Sequence, residues 1–515
     1  MSKGTVSRNL RIHGFMDDMR SQENETARAS FNWKDYKVNP LQQRFIHVDG
    51  GLIWVEGAYW DYRVRDHRGP ERQQQEELVE NTVPYVRVLL VGPYANFKDT
   101  LLQAECEFYY DSESDSHHEK SQIIQVYVSY VDDRYPENWT RPYYAVCIPP
   151  RLDERIPLSM SLVFPGQHKQ AWSKDFTGYM RYFIFPIRGQ YDSSLHARLA
   201  NGKITDISYE KINEKKILHS LDPILHPLRK LMMCVKPARN GVYHDYKGMI
   251  AFIAYYHALG VTHFTLYDTG SFNPRVYKVF NIAANMGISI EVKEWAMREV
   301  HGWENHQVLF NEVCMYDAMD RNYDNVAIND FDEFIAPRAA ANMSISGAES
   351  NRATAPSLLD MIDHLDKQYP NASNYKFHIK CFKKSERTHS LDNNMSLTVE
   401  QRAAVNIIPY LYTVMTHDGG FAKSRNNKHI YKPYRIGEVF IHSAIAANGD
   451  YHEVFPSDKD VVVHHYQYCN VDLPNLQIDD TIPIQYGEQI MKGDFMTEIL
   501  RYFQFNNKTH LQAFS

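Results

Sequence analysis

The stretch Asn325-Val-Ala-Ile-Asn-Asp330-Phe-Asp332-Glu-Phe-Ile-Ala-Pro337 sets the reading of the whole chain. Val326-Ala327-Ile328 is a short apolar run of the kind that forms a buried strand. Asp330, Asp332 and Glu333 follow at once, then Phe334 and Ile335, and Pro337 ends the element. Carboxylates are rarely buried unless they are paired or bound to a metal. On a strand, residues i and i+2 point to the same side. Asp330 and Asp332 are therefore expected to present two carboxylates to one hard cation, Mg²⁺ or Mn²⁺, which keeps positions open for substrate phosphates. The plainer alternative is an acidic turn at a strand end, because Asp-x-Asp is a common triplet.

The flanking sequence supplies the context. Leu231-Met-Met-Cys-Val235 is a short apolar strand stopped by Pro237. Met249, Phe252, Ile253, Tyr256 and Leu259 keep helical spacing, with Gly260 where a helix C-terminus wants it. Val261 to Tyr267 reads as the next strand. Val276, Val279, Phe280, Ala283 and Met286 mark a second helix, followed by Gly287 and a third strand, Ile288 to Val292. Leu309, Val313 and Tyr316 mark a helix ahead of the acidic stretch. Alternation of this kind implies parallel βαβ units. Ligands of such sheets sit beyond the carboxyl ends of strands, where Asp330 and Asp332 fall.

Upstream the pattern changes. Val86 to Val91, Ile123 to Tyr130, Tyr143 to Val146 and Tyr182 to Phe185 are rich in β-branched and aromatic residues, and polar loops separate them. They predict a small antiparallel β domain. The expected organisation is a polar, flexible stem over 1–40, a β-rich domain with a charged connector over 41–225, and a catalytic domain over 226–515. Arg338 to Pro356 is small and polar and reads as a mobile loop.

Composition bounds the function. The chain has 515 residues and a formal net charge of −7, which argues against general nucleic-acid binding. No run of about 18 apolar residues occurs, and Met1 to Asn32 shows neither anchor nor signal peptide. The six cysteines, Cys106, Cys147, Cys234, Cys314, Cys381 and Cys469, contain no Cys-x-x-Cys. They are compatible with three disulfides or with six buried thiols. Sequons stand at Asn24, Asn138, Asn342, Asn371, Asn394 and Asn507.

Asp330-Phe-Asp332-Glu-Phe after a buried strand resembles the nucleotide-sugar motif of GT-A glycosyltransferases. The form with Glu-Phe and a nearby Pro is similar to glycosyltransferase family 92. Further motifs carry the same resemblance: Glu56-Gly-Ala-Tyr-Trp-Asp-Tyr-Arg63, Cys234-Val-Lys-Pro237, Ala258 to Phe264 with Tyr267-Asp268, and Glu294-Trp295 with Gln307, Asn311 and Cys314. Lys428-His-Ile-Tyr-Lys-Pro433, Ile441-His442 and His464-His465-Tyr466-Gln-Tyr-Cys469 resemble the family's closing motifs. The resemblance implies an α/β fold: a GT-A-like, mostly parallel sheet with flanking helices, behind a β-rich N-terminal domain. It also implies an inverting, metal-dependent galactosyltransferase that takes UDP-galactose and Mn²⁺ and builds a β-linkage on a glycan acceptor. The expected setting is the Golgi lumen or membrane, by an anchor that this sequence does not display.

The resemblance also distributes roles. Asp268 accepts from the uracil or ribose, unless it serves only as a turn or cap residue. Pro237 and Arg239 border the nucleotide, and Arg239 pairs with its diphosphate. Lys428 and Lys432 neutralise the leaving diphosphate. Asp332 binds the metal directly, with Asp330 on the ribose or on a metal-bound water. His465 or His442 completes the metal set, since Mn²⁺ accepts histidine readily. Glu386 or Asp418 is the general base on the acceptor hydroxyl. Two other classes stay open. One is an inactive carbohydrate- or nucleotide-sugar-binding protein on the same fold, suggested by the poorly matching stretch Arg338 to Asn427. The other is a different metal-phosphate enzyme, such as a nuclease or phosphatase, against which the negative charge and the lack of further acidic clusters count.

Overall fold

A computed structural model describes residues 45–48, 51–61, 85–93, 97–110, 118–128, 140–150, 157–164, 185–188, 231–237, 245–269, 272–295, 306–321, 323–338, 356–383, 416–417, 427–447, 450–467, 476–477 and 481–507. The expected stem, the connector and the loop over 339–355 lie outside these residues, as do Arg239, Glu386 and Asp418.

Among the described residues the N-terminal part is all β apart from one short helix. Its strands are β1 (Phe45–Val48), β2 (Gly51–Asp61), β3 (Tyr85–Pro93), β4 (Glu105–Tyr110), β5 (His118–Val128), β6 (Thr140–Cys147), β7 (Pro157–Val163) and β8 (Phe185–Arg188), with α1 (Phe97–Leu102) before β4. They run in the order β1-β2-β3-β6-β5-β4-β7-β8, and β8 returns to pair with β2 at Ala58↔Ile187. That pairing closes the ring, so seven strands form a barrel without free edges. Ile53, Val55, Ala58 and Trp60 of β2 fill its interior. The switch from odd to even positions follows from a bulge between Val55 and Gly57, where one extra residue reverses the alternation. A disulfide, Cys106–Cys147, joins β4 to β6 within this core.

The second part is built on a seven-stranded sheet. Its strands are β9 (Leu231–Val235), β10 (His263–Asp268), β11 (Ser289–Glu294), β12 (Asn325–Asn329), β14 (Ala372–Phe377), β17 (Lys428–Tyr431) and β20 (His452–Val454). The order is β11-β10-β9-β12-β17-β14-β20. The first four strands are mutually parallel, β17 runs against both of its neighbours, and β20 is parallel to β14. The sheet is thus mixed but mostly parallel, with four of its six pairings parallel and the two made by β17 antiparallel. β17 alone runs the other way; it arrives from a later segment of the chain, after β14.

A five-stranded sheet stands beside it, in the order β13 (Glu333–Pro337), β21 (Val461–Gln467), β15 (Ile379–Lys383), β16 (Thr416–His417) and β22 (Leu476–Gln477). A small hairpin pairs β18 (Ile436–Val439) with β19 (Ala444–Ala446).

The crossover helices are α2 (Tyr246–Ala258), α3 (Pro274–Asn285) and α4 (Gln307–Asp320). Their ends follow local chemistry. Asp245 accepts from Gly248 N at 2.7 Å at the start of α2. Asn273 caps α3, with Pro274 in its first turn. Gly260 takes φ +95° just beyond α2, which only glycine does without strain. Ser357 and Asp360 form a capping box on α5 (Leu358–Gln368). The chain closes with α6 (Thr481–Lys492) and α7 (Asp494–Asn507).

α2 and α3 pack on one face of the sheet and α4 on the other. α4 is buried from Gln307 to Ala318 because the barrel covers its outer side. The outward-facing Trp54, Tyr59, Leu89, Val91 and Tyr144 of β2, β3 and β6 share one core with Leu309, Val313 and Tyr316. Arg87, wholly buried, sits in this contact. It donates to Gly437 O (3.3 Å), lies 3.7 Å from Glu312 and 3.9 Å from Glu438, and stacks over Tyr144 at 4.3 Å. A second disulfide, Cys234–Cys314, ties β9 to α4.

Candidate active site

The order of the four parallel strands locates the site. β9 is the first strand in sequence and β12 the fourth, and they are neighbours. From β9 the chain winds outward through β10 and β11, then returns to the other side at β12. The crevice beyond the carboxyl ends of β9 and β12 is therefore the switch point of the winding, where such sheets take their ligands. Lys236 follows β9 there, and Asp330 follows β12.

Asp330 and Asp332 do not continue a strand, contrary to the reading of residues 325–337 as one element. The chain turns over Asp330-Phe331-Asp332, with Glu333 N donating to Asp330 O at 3.2 Å. It then enters β13, which belongs to the neighbouring sheet. The alternative of an acidic turn is the one the backbone adopts. Phe331 and Phe334 anchor the turn by packing on Phe252 of α2. Tyr256 of the same helix holds it from below: its hydroxyl accepts from Asn329 Nδ2 (2.7 Å) and Ile335 N (2.9 Å) and donates to Glu333 O (2.9 Å).

Two strand pairings bring partners to the turn. β17 runs against β12 with Ile328 opposite His429, which places Lys428 beside the end of β12. Its ammonium lies 2.8 Å from Glu333 Oε2 and 3.1 Å from Asp330 Oδ2. β21 runs against β13 with Glu333 opposite His465. His465 Nε2 lies 3.5 Å from Asp332 Oδ1 and 3.8 Å from Glu333 Oε1. Strand alternation then sends His464 into the core, stacked on Phe382. Lys236 Nζ is 3.8 Å from Asp330 Oδ1.

The electrostatics follow from this packing. Burial opposes the charge on Asp330, but Lys428 and Lys236 outweigh it and hold the carboxyl below the usual range. Burial, reinforced by Asp330 against the pull of Lys428, raises Glu333. The ammonium of Lys428 stays charged despite its burial because Asp330 and Glu333 flank it. His465 is also buried, yet Glu333 and Asp332 raise its pKa. His442 is pushed down to about 4, first by burial and then by Lys428, and its Nδ1 finds no hydrogen-bond partner among the described residues. Of the two candidate histidines, the structure brings His465 to the acids and leaves His442 on the side of the lysines.

Asp268 ends β10, and its carboxylate accepts from Phe272 N at 3.2 Å and from the Tyr277 hydroxyl. It serves the turn that leads into α3. Pro237 is buried directly after Lys236. Lys432 follows the far end of β17, beside Asn325 at the start of β12, and pairs with Asp366 at 2.7 Å rather than with the acidic turn, which corrects its expected place on the diphosphate. Lys236 and Glu333 were not singled out by sequence reasoning. Glu333 lay in plain view beside two acids, and Lys236 had as its signal a lone cation directly after a fully buried strand.

A divalent ion can be tested against these donors. Among the described residues no group of three or more His, Cys, Asp or Glu side chains forms a protein cage. Mg²⁺ and Mn²⁺ bound with a phosphate ligand typically need only one or two protein groups. Two ligands at right angles on one such ion lie about 3 Å apart. Asp332 and His465, at 3.5 Å, fit with a small movement, and the Asp332 side chain is 35% exposed.

Parallel strands wound outward from β9 and β12, with acids and lysines at their switch point, define an α/β domain with its candidate site at the carboxyl edge of the sheet. The profile of glycosyltransferase family 92 matches residues 229–508, more than half of the chain, and the chain belongs to that family. It is accordingly a glycosyltransferase by family, with a nucleotide-sugar donor and a glycan acceptor as the partners that membership implies. The match begins just ahead of β9 and leaves the barrel outside. A comparison with curated proteins gave no match.

Proposed function

We propose that the chain is a metal-dependent, inverting glycosyltransferase that moves galactose from UDP-galactose onto a glycan acceptor in β-linkage. The observation that carries the reading is the acidic turn 330–333, set between Lys236, Lys428 and His465 at the switch point of the sheet. The galactose donor and the inversion come from the family resemblance.

The residues suit the departure of a nucleoside diphosphate. Three carboxylates face two ammonium groups and the His465 imidazole, so the cluster is close to charge balance. A divalent cation and the dianionic diphosphate of a sugar nucleotide enter as a neutral pair and leave that balance unchanged. Asp332 and His465 are the residues that would hold the cation, which, when bound, supplies Lewis-acid stabilisation to the leaving diphosphate. Lys428 has three N–H donors, two of them directed at Asp330 and Glu333. Its charge is fixed by those acids before substrate arrives, so it needs no reorganisation as the leaving group develops charge. Inversion calls for a carboxylate base on the acceptor hydroxyl, the role reserved for Glu386 or Asp418.

The setting proposed is the secretory pathway, in the Golgi lumen. Two disulfides among the described residues support an oxidising compartment. No described helix is long and apolar enough to cross a membrane.

The test is a screen of UDP-sugars against glycan acceptors with and without Mn²⁺, alongside calorimetric titration of UDP. Asp332→Ala is expected to remove both transfer and the metal dependence of UDP binding, with the fold intact. UDP binding that ignores Mn²⁺ and persists in both Asp330→Ala and Asp332→Ala rejects the site.

A further inference from the structure

The described residues expose four large apolar side chains: Leu158, Tyr369, Ile445 and Phe455. Phe455 stands apart by what surrounds it. It follows β20, its neighbours Val454 and Pro456 are buried, and its own side chain is 50% exposed. Lys376 Nζ lies 4.9 Å from the centre of its ring and is paired with Glu453 at 3.1 Å. The His378 ring lies 6.3 Å away at 43°, with its Nδ1 2.6 Å from Asp458. The ring is thus flanked by the Lys376–Glu453 ion pair, whose ammonium lies over it, and by the hydrogen-bonded His378–Asp458 pair.

The sheet topology places this platform relative to the acidic turn. β14 is antiparallel to β17, which is antiparallel to β12, and β20 is parallel to β14. The carboxyl ends of β12, β14 and β20 therefore lie on one edge of the sheet. In register, Phe377 pairs with Lys428, and Tyr375 with Val454. Phe455 thus emerges on the edge that carries Asp330 and Lys428, three strands along. At the usual strand spacing that is about 14 Å, more than one sugar ring.

A pyranose has one face of C–H bonds and a rim of hydroxyls. It matches a flat aromatic surface with charged hydrogen-bonding groups around it, where the aromatic supplies contact area and the polar groups set orientation. We propose that Phe455, framed by Lys376–Glu453 and His378–Asp458, is a subsite for a distal sugar ring of an oligosaccharide acceptor. The ring stacks on Phe455 while the acceptor hydroxyl reaches the acidic turn. The proposal deepens the glycosyl-transfer reading and rests on it.

The test uses the full chain. The wild type, Phe455→Ala and Phe455→Trp are compared in two assays: binding to an array of immobilised glycans, and transfer from the UDP-sugar to a monosaccharide and to an oligosaccharide acceptor. Phe455→Ala is expected to raise KM for the oligosaccharide about tenfold. KM for the donor and hydrolysis of the donor without acceptor are expected to stay unchanged, and the array signal to drop. Phe455→Trp is expected to restore both. Unchanged oligosaccharide KM in Phe455→Ala, or a wild-type chain with no array signal, overturns the subsite. Array binding that depends on Phe455 in a chain that turns over no UDP-sugar upholds the subsite and removes the transferase reading instead.

Discussion

Arg87 lies at the centre of the contact between the barrel and the family 92 domain, and its replacement by Met tests how the two are joined. The side chain is fully buried, as is that of its partner Glu312, 3.7 Å away. At that distance and an effective dielectric of about 20, the attraction is worth about 4.5 kcal/mol. Desolvation of both charges offsets most of it, so the intact pair adds little net stability. Loss of one partner is another matter. Arg87→Met leaves the buried Glu312 carboxylate without its cation, with Val439 N as its remaining donor among the described residues, at 2.7 Å. The expected loss is about 3–5 kcal/mol. Glu312→Gln keeps an acceptor for Val439 N and removes the charge. The double variant Arg87→Met/Glu312→Gln is therefore expected to recover most of the loss, with a coupling of about 2 kcal/mol or more. Urea unfolding followed by tryptophan fluorescence reads both values, since Trp54 and Trp295 lie in the shared core. A loss below about 1 kcal/mol in the single variant, or additive losses in the double, refutes the argument.

Lys428→Met is expected to weaken UDP binding at least about tenfold, or about 1.4 kcal/mol, and unchanged affinity by calorimetry removes the lysine from the diphosphate. The disulfide Cys234–Cys314 closes a loop of separation 80. Cys314→Ala is expected to cost about 2–5 kcal/mol, and an unchanged midpoint under non-reducing conditions contradicts its presence. His263 is held neutral by burial, then by Arg321 and Lys293, with its pKa pushed down to about 4 from 6.5. Its contribution is present above pH 6.5 and is lost as pH falls toward 4, by up to about 3 kcal/mol. His263→Asn is expected to flatten the fall in melting temperature between about pH 7 and pH 4.5; equal slopes in mutant and wild type reject the linkage.

Much of the second domain was legible because its signals are local. The all-buried run Leu231–Val235, the spacing from Met249 to Leu259 and the helix end at Gly260 need no distant partner to be read. The acidic stretch was misread as a shape. Apolar residues on both sides of the acids, Ile328 and Phe334, look like one strand, and only the packing of Phe331 and Phe334 on Phe252 reveals the turn. Pairings between remote segments leave no such mark. Neither the arrival of Lys428 on an antiparallel β17 nor the return of β8 to β2 follows from spacing. The choice between His465 and His442 stayed open for a related reason: with 24 histidines in the chain, only register against Glu333 brings His465 to the acids. In β3, apolar residues on both faces, Val86 and Val88 against Leu89 and Val91, were the available hint that the barrel is covered outside as well as filled inside.

The acidic turn also has a mechanical consequence. It is the short strap by which the chain leaves the seven-stranded sheet and joins the five-stranded one. Lys428 belongs to the first sheet and His465 to the second, so a bound molecule that engages both is riveted across the seam. Occupancy then has to register as slower amide exchange on β17 and β21 together, far beyond the atoms that touch it. A molecule held by the lysines alone would quiet β17 and leave β21 as lively as before.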